Sequence, residues 1–149
     1  MLKKIRFYGL LFGIGGVGYC FIELLWRGFT DISMAFAGGT ALCLLAVIQK
    51  VLKPVRFLYR CVLGGLTITA VEMAFGTVFN LWLNRNVWDY SQMPLNILGQ
   101  VCLLYTVLWC FLSVPMLMLT DILRQKFLPK DRKDTRFHPS ADREMLHIN

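Results

Sequence analysis

The chain has 149 residues, of which 56% are hydrophobic and only 17% charged, against about 25% charged in ordinary domains. With a mean hydropathy of +0.55, this composition excludes a typical soluble domain and points to an integral membrane protein. The net charge of +7 does not indicate nucleic acid, because the basic residues flank apolar runs, where membrane topology and anionic headgroups select them.

A basic leader with Lys3, Lys4 and Arg6 opens onto an apolar segment over residues 5–26. That run is too long for a signal peptide and carries Glu23 and Arg27 at its end. No small-x-small cleavage site follows, and Tyr19 before Cys20 does not fit a lipoprotein site. The segment therefore reads as a first transmembrane helix. Gly9, Gly13, Gly16, Cys20 and Glu23 recur along one helical face, and the Gly9–Gly13 GxxxG pair suits close helix packing.

Residues 28–33 form a turn in which Asp31 is placed to cap the next helix. The second apolar segment covers 32–51, with Ala35, Ala37, Gly38, Gly39 and Ala41 as small packing residues. A basic connector follows with Lys50, Lys53, Arg56 and Arg60, and Pro54 breaks the helix there. The third segment covers 57–83 and puts Thr69, Glu72, Gly76 and Asn80 on one face. The fourth is expected over 94–123, with Pro94 in its first turn. Its polar residues Asn96, Gly99, Gln100, Thr106, Cys110 and Ser113 share a face, and Pro115 is expected to bend it. Residues 124–149 read as a basic, flexible cytoplasmic tail. The expected fold is all-α, with four transmembrane helices forming one domain over 1–123.

Of the 16 Lys and Arg, all but Arg27 and Arg85 lie in the leader, the second connector or the tail. By the positive-inside rule both termini are expected in the cytoplasm. Residues 80–100 then fall at the extracytoplasmic end, where Asn80, Trp88, Asp89, Tyr90, Asn96 and Gln100 crowd between two apolar runs. One reading is an interfacial turn, with aromatic anchors and Ser91 or Asp89 capping the next helix. The other is one wall of a polar site.

Two carboxylates, Glu23 and Glu72, lie within apolar runs in the same outer half of the membrane, where charge is costly unless paired or protonated. As structural groups, Glu23 would pair with Arg27 and Glu72 would hydrogen-bond Asn80, Asn96 or Gln100. As functional groups, they would form a cation-binding or proton-titrating pocket between the first, third and fourth helices. The candidate ligand-binding residues are Glu23, Glu72, Asn80, Trp88, Asp89, Tyr90, Asn96 and Gln100. No catalytic set is recognised: there is no GxxxxGK[ST] loop, Ser-His-Asp set or HExxH motif. Cys20, Cys43, Cys61, Cys102 and Cys110 form no CxxC pair, and both His lie in the tail. No metal or cofactor is expected, and the cysteines read as buried, reduced thiols.

Gly18-Tyr19 with Glu23, then Glu72 with Gly76 and Asn80, NVWDYS at 86–91, Pro94-Leu-Asn96, Gly99-Gln100 and the region of Trp109 together resemble a known pattern. It is that of the small bacterial membrane proteins classed as CmpB-like, ABC-transporter type IV permease components, over roughly residues 15–120. The resemblance implies a four-helix inner-membrane protein with a role in transport. Any ATP hydrolysis would need a separate subunit, and a complete permease would need a homo- or hetero-oligomer in contact with membrane lipids. The alternative is a structural or regulatory membrane subunit whose polar cluster holds helices together. A further one is an intramembrane enzyme acting on lipid or envelope precursors.

Overall fold

The computed structural model describes residues 1–128; most of the expected basic tail lies outside the described residues. Four helices organise the chain: α1 (Leu2–Arg27), α2 (Ile32–Val51), α3 (Phe57–Gly76) and α4 (Leu103–Phe127). α3 continues without a break as a π-helical segment, Thr77–Trp82. All four, α3 taken with that extension, are long and apolar enough to cross a bilayer. The protein is a multi-pass membrane protein, and apolar side chains such as Val17 and Phe111 are about 70% exposed on the outside of the bundle.

The helix ends follow from local chemistry. Gly28 closes α1 at φ 74°, a left-handed conformation that favours glycine, and its N–H bonds Leu24 O. Asp31 caps α2 as expected, its carboxylate accepting from Ser33 N at 2.8 Å. α4 ends with Arg124 and Lys126 in its last turn, where cations complement the exposed carbonyls.

The fourth helix departs from expectation. It starts at Leu103 rather than at Pro94, and the intervening residues form a loop. Within it, β1 (Asn96–Ile97) pairs antiparallel with β2 (Val101–Cys102). Leu95, Leu98 and Gly99 all have positive φ, which an α-helix cannot accommodate. The Asn96 side chain accounts for this: it donates to Met93 O and Ser91 O and accepts from Gly99 N. A side chain that captures nearby backbone groups in this way replaces the helical bonds they would otherwise make.

Glycine-mediated contact holds α1 to α2, but not through the expected pair. A methyl added at Gly9 or Gly13 would meet nothing; that face looks away from the bundle. The close contacts are made by Gly15, Gly16, Gly38 and Gly39: an added methyl on Gly38 would strike Tyr19 and Gly15 O, and one on Gly16 would strike Ala35 O. α3 meets α4 in the same way, with Gly64 against Ser113 and Gly65 against Cys110. Lipid is as apolar as leucine, so backbone approach and interhelical hydrogen bonds carry the association. Ser113 Oγ bonds Cys61 O at 2.7 Å. At the end of the bundle opposite loop 83–102, Gln49 joins Asp121 at 3.0 Å and Arg60 at 2.8 Å. Arg124 donates to Ala46 O, which closes α2, α3 and α4 together.

The glycine assignment is directly testable. Gly38→Val should lower the detergent-unfolding midpoint, at a cost of about 1–3 kcal/mol for overpacking. Gly9→Ala should leave the midpoint unchanged or raise it slightly. Equal sensitivity at both positions would contradict this helix pairing.

Candidate functional site

Loop 83–102 is held on the end of α3 by one buried amide. The π-helical turns Thr77–Trp82 bring Asn80 beneath the loop, and π turns of this kind are frequent where a side chain must be re-aimed. Asn80 Oδ1 accepts from Val87 N at 2.7 Å, and its Nδ2 donates to Trp88 O at 2.9 Å and to Gln100 Oε1 at 2.8 Å. Gln100 Nε2 donates to Leu98 O, and Trp88 Nε1 to Gln100 O, both at 2.9 Å. Gly76 makes room for this clamp, since an added methyl would collide with Gln100 and Trp88. Nearer the solvent, Asp89 accepts from Ser91 N and Oγ at 2.8 and 2.9 Å. Arg85 bonds Asp31 at 2.8 Å, which ties the loop to the α1–α2 connection.

Glu72 lies deeper and is only 3% exposed. Its Oε1 accepts from Tyr19 Oη of α1 at 3.1 Å and from Tyr90 Oη of the loop at 3.4 Å. Its Oε2 accepts from Trp109 Nε1 of α4 at 2.6 Å. Asn80, Asn96 and Gln100, the partners expected from sequence, are engaged elsewhere: the first and third in the loop clamp, and Asn96 in its own turn. Three donors and no cation surround Glu72, a set suited to a carboxylate. The donor rings also touch one another or share a neighbour. Tyr19 lies 5.9 Å from Trp109, Tyr105 lies 6.3 Å from Trp109, and Tyr90 stacks on Tyr105 at 4.6 Å.

Glu23 pairs with Arg27 one turn along α1, as expected. Arg27 also donates to Val87 O at 2.7 Å and lies over the Phe29 ring at 4.8 Å. Between this pair and α4 is a cavity of about 150 Å³, lined by Glu23, Trp26, Arg27, Tyr90, Tyr105 and Trp109 among others. Glu72 stands directly behind its Tyr90 and Trp109 walls. A second, apolar cavity of about 120 Å³ lies among all four helices, lined by Tyr19, Leu42, Leu45, Ile68 and Met116 among others, and shares Ile22 with the first.

Of the eight candidate residues, then, Glu23, Glu72 and Tyr90 gather at the first cavity. Asn80, Trp88 and Gln100 form the clamp, while Asp89 and Asn96 shape turns. Sequence reasoning named Tyr19 and the region of Trp109 only within the family pattern, and did not single out Trp26 or Tyr105. The available signal was helical spacing: Glu23 with Trp26 and Arg27 on α1, and Tyr105 with Trp109 on α4. Among the described residues, no group of three or more His, Cys, Asp or Glu is placed to hold a metal ion.

Two groups outside the membrane spans have displaced acidities. Burial pushes the Tyr90 phenol upward, and the neighbouring Glu72 charge pushes it further, so it remains a neutral donor. At Asp31, burial acts upward but is outweighed by the Ser33 N–H and the Arg85 guanidinium, and the carboxyl lies below its usual range.

The family model described as "Putative ABC-transporter type IV" matches residues 7–137, and the chain belongs to that family. No curated protein and no solved structure matches it.

Asn80→Ala would remove the partner that Val87 N–H, Trp88 O and Gln100 Oε1 each have in Asn80. It should cost about 1–3 kcal/mol on detergent unfolding, whereas Asp89→Ala should cost less. A midpoint unchanged by Asn80→Ala would refute the clamp. The Asp31 carboxyl is depressed, so its contribution to stability is present above the ordinary carboxylate value of about 3.9. That contribution is lost as pH falls through the lower folded value. The stability gap between wild type and Asp31→Asn should therefore narrow in acid; a gap constant from neutral pH down to strong acid would contradict this.

Proposed function

We propose that this protein is the membrane-embedded component of an ABC-type transport assembly in the bacterial inner membrane. Family membership and the four apolar helices support the coarse reading. The distribution of Lys and Arg supports an orientation with both termini cytoplasmic, which turns loop 83–102 and the Glu72 site towards the extracytoplasmic side. The sequence carries no phosphate-binding loop, so in this reading ATP hydrolysis belongs to a separate subunit. Four helices are few for a translocation path, so further copies of this chain or another membrane subunit complete it, with lipid filling the remaining surface.

The observation that carries this reading is Glu72. A carboxylate in an apolar interior costs several kcal/mol unless paired or protonated, and its partners here are uncharged donors on three other segments. Two of those donors wall a cavity that also holds Glu23 and Arg27. Such a carboxylate changes its interactions when a cation or a proton arrives, and Tyr19, Tyr90 and Trp109 relay that change to α1, the loop and α4. Asn80, Trp88, Asp89, Asn96 and Gln100 hold the loop in place for this role rather than contact cargo.

A second reading, a structural or regulatory subunit, is favoured by the closure of the Asn80–Gln100 clamp, in which each side-chain amide is fully engaged. One substitution separates the two. Glu72→Gln keeps the shape of the site and should cost at most about 1–2 kcal/mol of fold stability. In the transport reading it abolishes the coupled ATP hydrolysis of the assembly purified from native membranes. Full ATP-coupled activity in Glu72→Gln, or a chain that purifies with no ATP-hydrolysing subunit, would leave the structural reading in its place.

A further inference from the structure

The spacing that places Glu23 and Trp26 on α1 and Tyr105 and Trp109 on α4 sets these side chains against each other across the seam between the two helices. Tyr90 enters from the loop. The resulting cavity of about 150 Å³ is bounded by four aromatic rings and by the paired Glu23 and Arg27. Behind two of the rings lies a second carboxylate, Glu72, which accepts the polar hydrogens of Tyr90 and Trp109. A ring that donates to an anion becomes richer in electron density, and aromatic faces already attract cations through their quadrupole.

Within the lining, Glu23 and Arg27 pair. Arg27 is committed to Glu23 through one terminal nitrogen and to Val87 O through the other, with its guanidinium over Phe29. Of the loop charges, Asp31 and Arg85 form their own ion pair and Asp89 is held by Ser91. Glu72, behind Tyr90 and Trp109, is bonded by uncharged donors alone. One carboxylate in the lining and a second behind its aromatic walls disfavour an anion. A small metal ion is disfavoured too, because it needs a shell of oxygen ligands that rings cannot supply. A methylated ammonium group satisfies the site: its charge is spread over methyl groups, it sheds water cheaply, and ring faces replace that water.

We infer that the α1–α4 cavity is a binding site for a methylated organic ammonium group, whether carried by a free solute or by a lipid headgroup. The position suits either source. The cavity lies at the loop end of the helices, towards the headgroups in the proposed orientation, and the apolar cavity among the four helices, which shares Ile22 with it, offers space for hydrocarbon. The inference deepens the transport reading and rests on it for the cavity being functional, but binding is measured on this chain alone.

Saturation-transfer NMR on the methyl protons of tetramethylammonium, with purified full-length protein in detergent, reads the site. Saturable transfer is expected, weakened roughly fivefold by Trp26→Ala and also by Glu23→Gln. Trp26 is 72% exposed, so its removal does not threaten the fold. Trp82→Ala, a change outside the cavity, should have no effect. Transfer that is absent, insensitive to both cavity variants, or equal for neutral tert-butanol would overturn the inference. Nanodiscs then distinguish the sources. If phosphatidylcholine discs suppress tetramethylammonium transfer and phosphatidylglycerol discs do not, the site takes a headgroup; equal transfer in both identifies a free solute. Loss of binding with ATP-coupled activity intact would sink this inference and spare the transport reading. Binding without any ATPase partner would do the reverse.

Discussion

Glu72 has to be solvated by protein, because it is buried and no cation among the described residues pairs with it. Its three hydrogen bonds come from α1, the loop and α4, so the cost of burying one charge on α3 is offset only when all three segments are in place. This constraint explains how α1 is positioned against α3 and α4. The glycine contacts fix α1 only to α2, and α1 meets α4 across a seam that leaves a cavity. Tyr19 is the residue that serves both arrangements. Its Cβ and Cγ lie against Gly38 of α2, while its hydroxyl reaches Glu72.

The loop clamp follows from the same requirement. Tyr90 can donate to Glu72 only if loop 83–102 folds back over the bundle, and that return is set by Asn80. The π-helical register of Thr77–Trp82 gives up regular helical bonding and gains an amide beneath Val87, Trp88 and Gln100. Arg27 and Arg85 then fasten the same loop to the α1–α2 side through Val87 O and Asp31. The loop is therefore held from several directions, which explains how it keeps positive φ at residues as unsuited to it as Leu95 and Leu98.

The spans were legible in sequence because length and hydropathy decide them, and the Asp31 cap and the Glu23–Arg27 pair because both are local. The start of α4 was not. Pro94 suits a first helical turn, and nothing at short range announces that Asn96 will take the backbone bonds a helix requires. The packing glycines show a similar limit. Gly9 and Gly13 match a packing motif as well as Gly15 and Gly16 do, and only the position of Gly38 decides which face α2 covers. Glu72 stood out as an isolated carboxylate. Its partners lie 53, 18 and 37 residues away, and aromatic residues in an apolar run read as lipid-facing until a tertiary contact uses their polar atoms.

Two polar groupings share the loop end of the bundle, and their chemistry separates them. In the clamp, the two neutral amides bond each other and the backbone of Val87, Trp88 and Leu98, so a ligand there would have to break these bonds. Around Glu72 and Glu23 the hydrogen bonds are also made, but only Glu23 has a cationic partner, Arg27. Glu72 has uncharged donors alone, and two of them, Tyr90 and Trp109, line an open cavity. Stability alone would be served as well by a neutral group at position 72, because well-packed neutral substitutes for buried charges are often neutral or stabilising. A charge kept beside a cavity that can admit its counterion is what a binding site requires, and a purely structural joint does not.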